Sequence, residues 1–491
     1  MPSGGKNNEE AGMRHSSHNV LKVFIVVILI VGVATGACAA TPYVRENAPT
    51  YMKAVLSNGI PLYMKVQNAN QVFHVSLVLD GASLVTAPEQ AGWEKIALAT
   101  MARSSKNYPY EKAASILDRR SSVITGAVQF EYSTFSLTTL SKYSDELLAL
   151  WSDMLVNPSF DQFDFDKEKE NALLALQAME QNPWTMTQKI MNEAYFKGHP
   201  YGVNPEGTEE SIAPMMVGDA RDWYKKHFSA DRISLVAVGD FNPAELAYKL
   251  EKLLGDISNL NLGPVPRPPD FPMGSPSSEL ALGSLITQAH DQSKGIIYLR
   301  GDFAAPAPGS DDYFATTLAT RIFSDLLFAV VRDKYGAVYT PSAAIRSYTA
   351  NYGSIMIYKS DAPEKIKQYI DEAAALMAQG RVVSVDPTKT DADGYMGLSD
   401  ALDTYKQLYI NDYFEAVRTN AAIASLMIRS IKLTGNPADW LKDQDRIEML
   451  DALAVHNAFE KYVRNGTFLW VAVGDQALLD KLNWKAFESM R

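Results

Sequence analysis

Val236-Ala-Val-Gly-Asp240 recurs, 235 residues later, as Val471-Ala-Val-Gly-Asp475. An aromatic, lysine-containing stretch precedes each copy: Trp223-Tyr-Lys-Lys-His-Phe228 and Phe459-Glu-Lys-Tyr462. A helix-like segment follows each, at 243–254 and 476–482. Internal similarity with shared context is an architectural signal, and it predicts a chain built from two related halves. The 491 residues suit two large domains better than one core.

A seam lies between the copies. Residues 263–278 hold Pro264, Pro266, Pro268, Pro269, Pro272 and Pro276. Proline at this density prevents helix and central strand and favours an extended connector. The expected organisation is a first domain at 50–258, a linker at 259–282 and a second domain at 283–491. Residues 53–66 and 72–79 read as strands, with Asn58-Gly59 marking a turn. Helices are expected near 92–104, 143–154 and 165–180, and a late strand at 236–238. The second half repeats the pattern with a strand at 295–301, a long helix at 311–333 and a strand at 338–348. Helices and strands mix without strict βαβ alternation, so the fold class expected is α+β.

Residues 1–39 read as a signal peptide. Lys22 precedes an apolar run at 23–33, and Ala37-Cys38-Ala39 fits a small-residue cleavage site. The run is short for a membrane span. An exported, periplasmic protein is expected. An uncleaved anchor and lipidation at Cys38 are the alternatives, although Thr35 fits a lipid signal poorly. No second apolar run of spanning length is expected further on. Cys38 is the only cysteine, so cleavage would leave no disulfide, thiolate metal site or cysteine nucleophile. The net charge is −11. The first 39 residues hold Lys6, Arg14 and Lys22 against Glu9 and Glu10, which leaves −12 without them. Acidic and dispersed charge argues against nucleic acid and against a membrane-binding patch.

Several segments together resemble the insulinase/pitrilysin (inverzincin) family of zinc peptidases. Ala91-Gly92 matches the start of the family's metal-bearing helix. His199-Pro-Tyr-Gly202 followed by Gly207-Thr-Glu-Glu-Ser211 matches another family segment. Val236-Ala-Val-Gly-Asp-Phe241 resembles the close of the first domain, and Arg332-Asp-Lys-Tyr-Gly-Ala-Val-Tyr339 resembles an Arg-(six residues)-Tyr segment of the second. The resemblance covers most of residues 50–490. It implies two homologous α+β domains facing each other around a peptide-holding chamber.

The family holds zinc with His-x-x-Glu-His on one helix and a third ligand downstream. Aligned on Ala91-Gly92, this chain places Lys95 and Ala99 at the two histidines and Leu98 at the general base. The third ligand falls on Ala175, 76 residues after Ala99. Alanine and leucine offer no lone pair, and an ammonium has none to give. Of the histidines beyond residue 39, His74, His199, His227, His290 and His456, no two lie within a helical turn. The helix itself survives, with Trp93, Ile96, Ala97, Thr100 and Met101 as its expected buried stripe. Glu168 matches a position that supports the metal in active relatives. Two arrangements are open to it: an ion pair with Lys95 in place of the metal cluster, or both side chains in solvent.

Arg332 and Tyr339 keep the family's spacing. The resemblance implies that such a pair meets substrate from the second domain, donating to a carbonyl oxygen or orienting the peptide. In the family, paired subunits divide the labour, one carrying zinc and the other supplying this pair. The chain therefore resembles the metal-free subunit type, similar to bacterial proteins of mitochondrial-processing-peptidase type, and is not expected to cut peptides alone. No cofactor is expected in the chain itself. Its expected partners are a zinc-bearing insulinase-type subunit and a peptide or unfolded protein. A peptide-binding or assembly protein without a proteolytic role, and a peptidase with an unrecognised metal site, are the other readings. No Walker loop or GxSxG elbow is present.

Overall fold

The computed structural model describes residues 43–48, 51–272, 285–482 and Phe487. The signal-peptide reading and Cys38 lie outside the described residues.

The first half carries a seven-stranded sheet in the order β1-β2-β3-β7-β4-β6-β5. Its strands are β1 (Tyr43–Ala48), β2 (Tyr51–Val55), β3 (Pro61–Val66), β4 (Val72–Asp80), β5 (Val123–Val128), β6 (Tyr132–Leu140) and β7 (Ile233–Gly239). The turn between β2 and β3 is the one that Asn58-Gly59 predicts. Gly59 takes φ +90°, and the Asn58 side-chain amide donates to the carbonyls of Leu254 (2.8 Å) and Ile257 (3.2 Å).

The second half carries β8 (Leu285–Ala289), β9 (Ile297–Ala304), β10 (Val338–Ile345), β11 (Tyr352–Ser360) and β14 (Phe468–Gly474), ordered β10-β11-β9-β14-β8. A separate hairpin joins β12 (Arg381–Val383) to β13 (Tyr395–Gly397). The run β3-β7-β4-β6-β5 and the run β8-β14-β9-β11-β10 share one order and one set of strand directions. In each run, the first four residues of the repeated pentapeptide lie in the second strand, β7 or β14, between a parallel and an antiparallel neighbour. Val236 lies opposite Tyr63 in parallel and Ser76 antiparallel; Val471 lies opposite Ile286 in parallel and Arg300 antiparallel.

Both β7 and β14 are buried along their whole length. Two-sided burial explains why they read as continuous apolar runs rather than alternating ones. On one face Leu235 and Ala237 enter the core of the first half, and Trp470 and Ala472 enter that of the second. On the other face each strand is covered by a helix from the opposite half. Val236 and Val238 pack with Ile423, Met427 and Ile428 of the helix Asn420–Thr434. Leu469, Val471 and Val473 pack with Met191 and Tyr195 of the helix Pro183–Tyr195. Each buried valine contributes roughly 1.5–3 kcal/mol to this reciprocal joint.

Polar contacts fix the joint. The Tyr201 hydroxyl donates to Glu131, whose Oε1 accepts from the Thr349 amide at 2.8 Å, while the Ala350 amide donates to the Tyr201 hydroxyl at 3.2 Å. Lys432 pairs with Asp80. The proline-rich connector carries no helix or strand over residues 259–272, and it is tied down. Phe271 is buried beside Phe196 and His199, and the Pro269 carbonyl accepts from His199 Nε2 at 2.9 Å.

Most expected helices fall within a few residues of those observed: Trp93–Met101, Ser144–Val156, Gln162–Gln181 and Pro243–Leu254. The long helix of the second half starts at Tyr313 and changes to π-helix over Phe328–Lys334. Contrary to the expectation of no second spanning run, the continuous helix Tyr313–Lys334 has a mean hydropathy of 1.5 and is long and apolar enough to cross a membrane. Here it is a core element, with Leu318, Ile322, Phe323 and Leu326 fully buried.

Candidate functional site

The helix Trp93–Met101 is held at its start by the loop that carries the Gly207-Thr-Glu-Glu-Ser211 segment. Gly92 takes φ +79° as its cap, and a Cβ there would stand 2.6 Å from the Cα of Gly207. Two glycines allow that approach. Thr208 and Ser211 form a capping box, the Ser211 hydroxyl donates to the Ala91 carbonyl (2.8 Å), and the Trp93 indole donates to the Ser211 carbonyl (2.9 Å). The motifs that carry the resemblance thus build the socket of one helix. Ile96, Ala97, Thr100 and Met101 are buried as expected, and Trp93 is partly so.

Leu98, at the position of the base, is 2% exposed. It is wedged against β5: a Cβ on Gly126 would stand 2.8 Å from the Cβ of Leu98. Ala99 is half-buried and Ala175 is exposed on the helix Gln162–Gln181. Lys95 pairs with Glu206. Two methyls, an isobutyl group and a paired ammonium offer zinc no lone pair, so the residues present do not fit that ion. Among the described residues, no group of three or more His, Cys, Asp or Glu is placed to hold a metal. His199 has a structural part, accepting at Nδ1 from the Tyr201 amide (3.1 Å) while Nε2 donates to Pro269.

The expected pair of Lys95 with Glu168 is not formed. Glu168 belongs to Arg103, whose Nη1 lies 2.9 Å from Glu168 Oε1 and whose Nε lies 2.9 Å from Asp164 Oδ1. Asp164 and Glu168 stand one helical turn apart on the same face, and the planar guanidinium spans both, which a lysine could not do. Ser104 also donates to the buried Asp164. Lys95 turns to the loop after His199-Pro-Tyr-Gly202 instead.

A second carboxyl was missed from the sequence. Glu94 points into the fold, 6% exposed, and accepts from the Ser133 hydroxyl. Burial, opposed by that hydrogen bond, pushes its pKa up to about 7. A glutamate in the first turn of a helix gives no sign of burial in the sequence, because that position usually faces water.

On the second half, the turn around Gly336 (φ +61°) brings Arg332 and Tyr339 together. The Arg332 guanidinium lies 5.7 Å from the Tyr339 ring centre and 4.5 Å from that of Phe328. Arg332 sits in the π-helical turn, and Tyr339 on β10, an edge strand, is 64% exposed. Among the described residues Arg332 makes no ion pair. Tyr339 also touches Tyr358 (6.5 Å), which contacts Trp184 from the first half (5.6 Å).

β5 is the corresponding edge of the first sheet. Its sequence, Val-Ile-Thr-Gly-Ala-Val, carries no charge or proline, and Val123, Thr125 and Ala127 are exposed. An unguarded edge of this kind can accept another strand.

Two family profiles match the chain: "Insulinase (Peptidase family M16)" over residues 64–209 and "Peptidase M16 inactive domain" over residues 216–381. The non-peptidase homolog YmxG of Helicobacter pylori is 21% identical over 269 residues, 55% of this chain and 60% of that protein. Subunit 1 of the mouse (Mus musculus) mitochondrial cytochrome b-c1 complex is 20% identical over 44% of this chain and 45% of its own length. The chain thus spans about half the length of these curated relatives. A crystal structure of a peptidase M16 inactive domain from Pseudomonas fluorescens shares the fold, with a TM-score of 0.72 at 16% identity, covering 87% of this chain and 98% of that one.

Proposed function

The chain belongs to the insulinase family, peptidase family M16, and on that premise we propose that it is a non-catalytic member that holds peptide for a zinc-bearing partner subunit. The observation that carries this reading is an asymmetry. The positions that would hold metal are filled by apolar or paired side chains, while Arg332 and Tyr339 are assembled and exposed, and Arg332 makes no ion pair among the described residues. The zinc and the general base would come from the partner. Arg332 and Tyr339 would orient the peptide or donate to its carbonyl oxygen, and the open edge of β5 would pair with its backbone. We place the protein outside the cytoplasm, in a bacterial periplasm, on the reading of residues 1–39.

The test is co-purification from the native host followed by peptidase assay of the assembled complex. Arg332→Ala is expected to lower kcat/KM by about tenfold or more while leaving assembly intact, which corresponds to about 1.4 kcal/mol of lost transition-state binding. Full activity of the Arg332→Ala complex contradicts the shared-site role. The names of the relatives favour a second reading, a peptide-binding or assembly protein with no proteolytic role. It is preferred if the chain purifies without a zinc-bearing relative and binds unfolded peptides without turnover.

A further inference from the structure

Glu94, at the start of the Trp93–Met101 helix, lines a cavity of about 170 Å³. Its wall is shared with the end of the helix Val217–His227 and with Leu262 at the start of the connector. Three basic side chains reach it: Lys226, His227 and Arg232. Burial lowers the proton affinity of His227, and the charges of Lys226 and Arg232 lower it further. Lys226 and Arg232 therefore bring two positive charges to the wall, while His227 is held towards its neutral form. Of the two carboxyls in the wall, Asp80 is taken by Lys432, and Glu94 is buried with its charged form disfavoured.

Arg232 gives the site a direction. One terminal nitrogen donates to the Leu262 carbonyl at 3.2 Å, and its Nε is buried with no hydrogen-bond partner among the described residues. A buried, unpaired donor on a cation calls for an acceptor, preferably an anionic one. Much of the remaining lining is apolar, including Leu79, Val85 and the indole of Trp223. A cavity of roughly 150 Å³ holds benzene, so this one has room for a ring or a branched aliphatic group.

We propose that this cavity binds a small organic carboxylate carrying one apolar group, with the carboxylate on Arg232 and Lys226 and the apolar body against Trp223 and Val85. The site is separate from Arg332 and Tyr339 and does not depend on the peptide-holding reading. Its chemistry fits either a free acid or the C-terminus of a peptide ending in an apolar residue.

Calorimetric titration of the full chain tests it, with benzoate, N-acetylvaline and N-acetylvaline carboxamide as probes. Saturable benzoate or N-acetylvaline binding is expected with a Kd on the order of 1 mM or tighter. The carboxamide is expected to bind about tenfold more weakly than the acid. N-acetylvaline binding as well as benzoate identifies a chain end as the source, and benzoate binding alone identifies a free acid. Arg232→Gln is expected to weaken binding by about tenfold, and Lys226→Gln, on an exposed side chain that folding does not need, by about threefold. Arg119→Gln, on an exposed arginine outside the cavity, leaves it unchanged. No saturable binding of either acid, equal affinity for acid and carboxamide, or unchanged binding in both the Arg232 and Lys226 variants overturns the proposal.

Discussion

The two halves present equivalent sheet edges, β5 and β10, and treat the side chains near them in opposite ways. Near β5, Leu98 is pressed against Gly126, Lys95 is paired with Glu206, and Arg103 ties the helix end to Asp164 and Glu168. Polar and apolar groups alike are used up within the fold. At β10, Tyr339 is largely exposed, and Arg332 rests on aromatic rings without an acidic partner among the described residues. One pole has been turned into structure, and the other keeps groups that structure does not need. That difference is why we propose a function for Arg332 and Tyr339, and it predicts that substitutions at the first pole cost stability while those at the second do not.

The largest effect is expected in what the halves share. Val236→Asp and Val471→Asp each put a carboxylate on a strand face covered by the opposite half. Either is expected to cost more than about 4 kcal/mol and to unfold both halves in one transition, as read by chemical denaturation. Separate transitions for the two halves would break the reciprocal picture.

At the first pole, Arg103→Ala strands the buried Asp164 with only the Ser104 hydroxyl. A loss of about 2–3 kcal/mol is expected, at the low end for a buried pair because Arg103 is partly exposed. Arg103→Lys should recover little of it, since an ammonium cannot span both carboxylates. Full recovery by lysine would show that charge alone, rather than the fork, holds the helix end.

Glu94 adds a pH dependence to the same helix. Its folded pKa is raised, so its contribution is intact below the unfolded value near 4.5 and is lost as pH rises through about 7. Glu94→Gln should match the wild type near pH 4.5. It should be more stable near pH 8 by on the order of 2 kcal/mol, measured by denaturant titration at both pH values. No pH-dependent gain would place the carboxylate in a more hydrated setting. The smallest effect is expected at the second pole, where Arg332→Ala should change stability by less than about 0.5 kcal/mol. A loss above about 1.5 kcal/mol would make Arg332 a structural residue and remove the contrast.

Much of the fold was legible because the repeated pentapeptide lies in an interior strand of both sheets and the prolines bar helix and central strand in the connector. The identity of what covers each strand was not. A double-sided apolar run announces two covered faces without saying that the helices Pro183–Tyr195 and Asn420–Thr434 cross over to supply one of them. At the site, alignment on Ala91-Gly92 offers Lys95, Leu98, Ala99 and Ala175 as the positions of replaced ligands and base. The partner of Glu168 was misread because Arg103 lies just past the helix end, outside the stretch that invited pairing. Glu94 and Arg232 left no trace, since neither burial of a helix-start glutamate nor an unpaired guanidinium nitrogen has a sequence pattern. The π-helical turn that presents Arg332 likewise looks like ordinary helix in the sequence.

The central claim is that Lys95, Leu98, Ala99 and Ala175 cannot hold the family's metal. The most direct measurement is the zinc content of the purified chain after dialysis against zinc-containing buffer and removal of free ion. The account predicts far less than one zinc per chain and no cleavage by the chain alone. Zinc near one per chain, with peptide cleavage that EDTA abolishes, would contradict it.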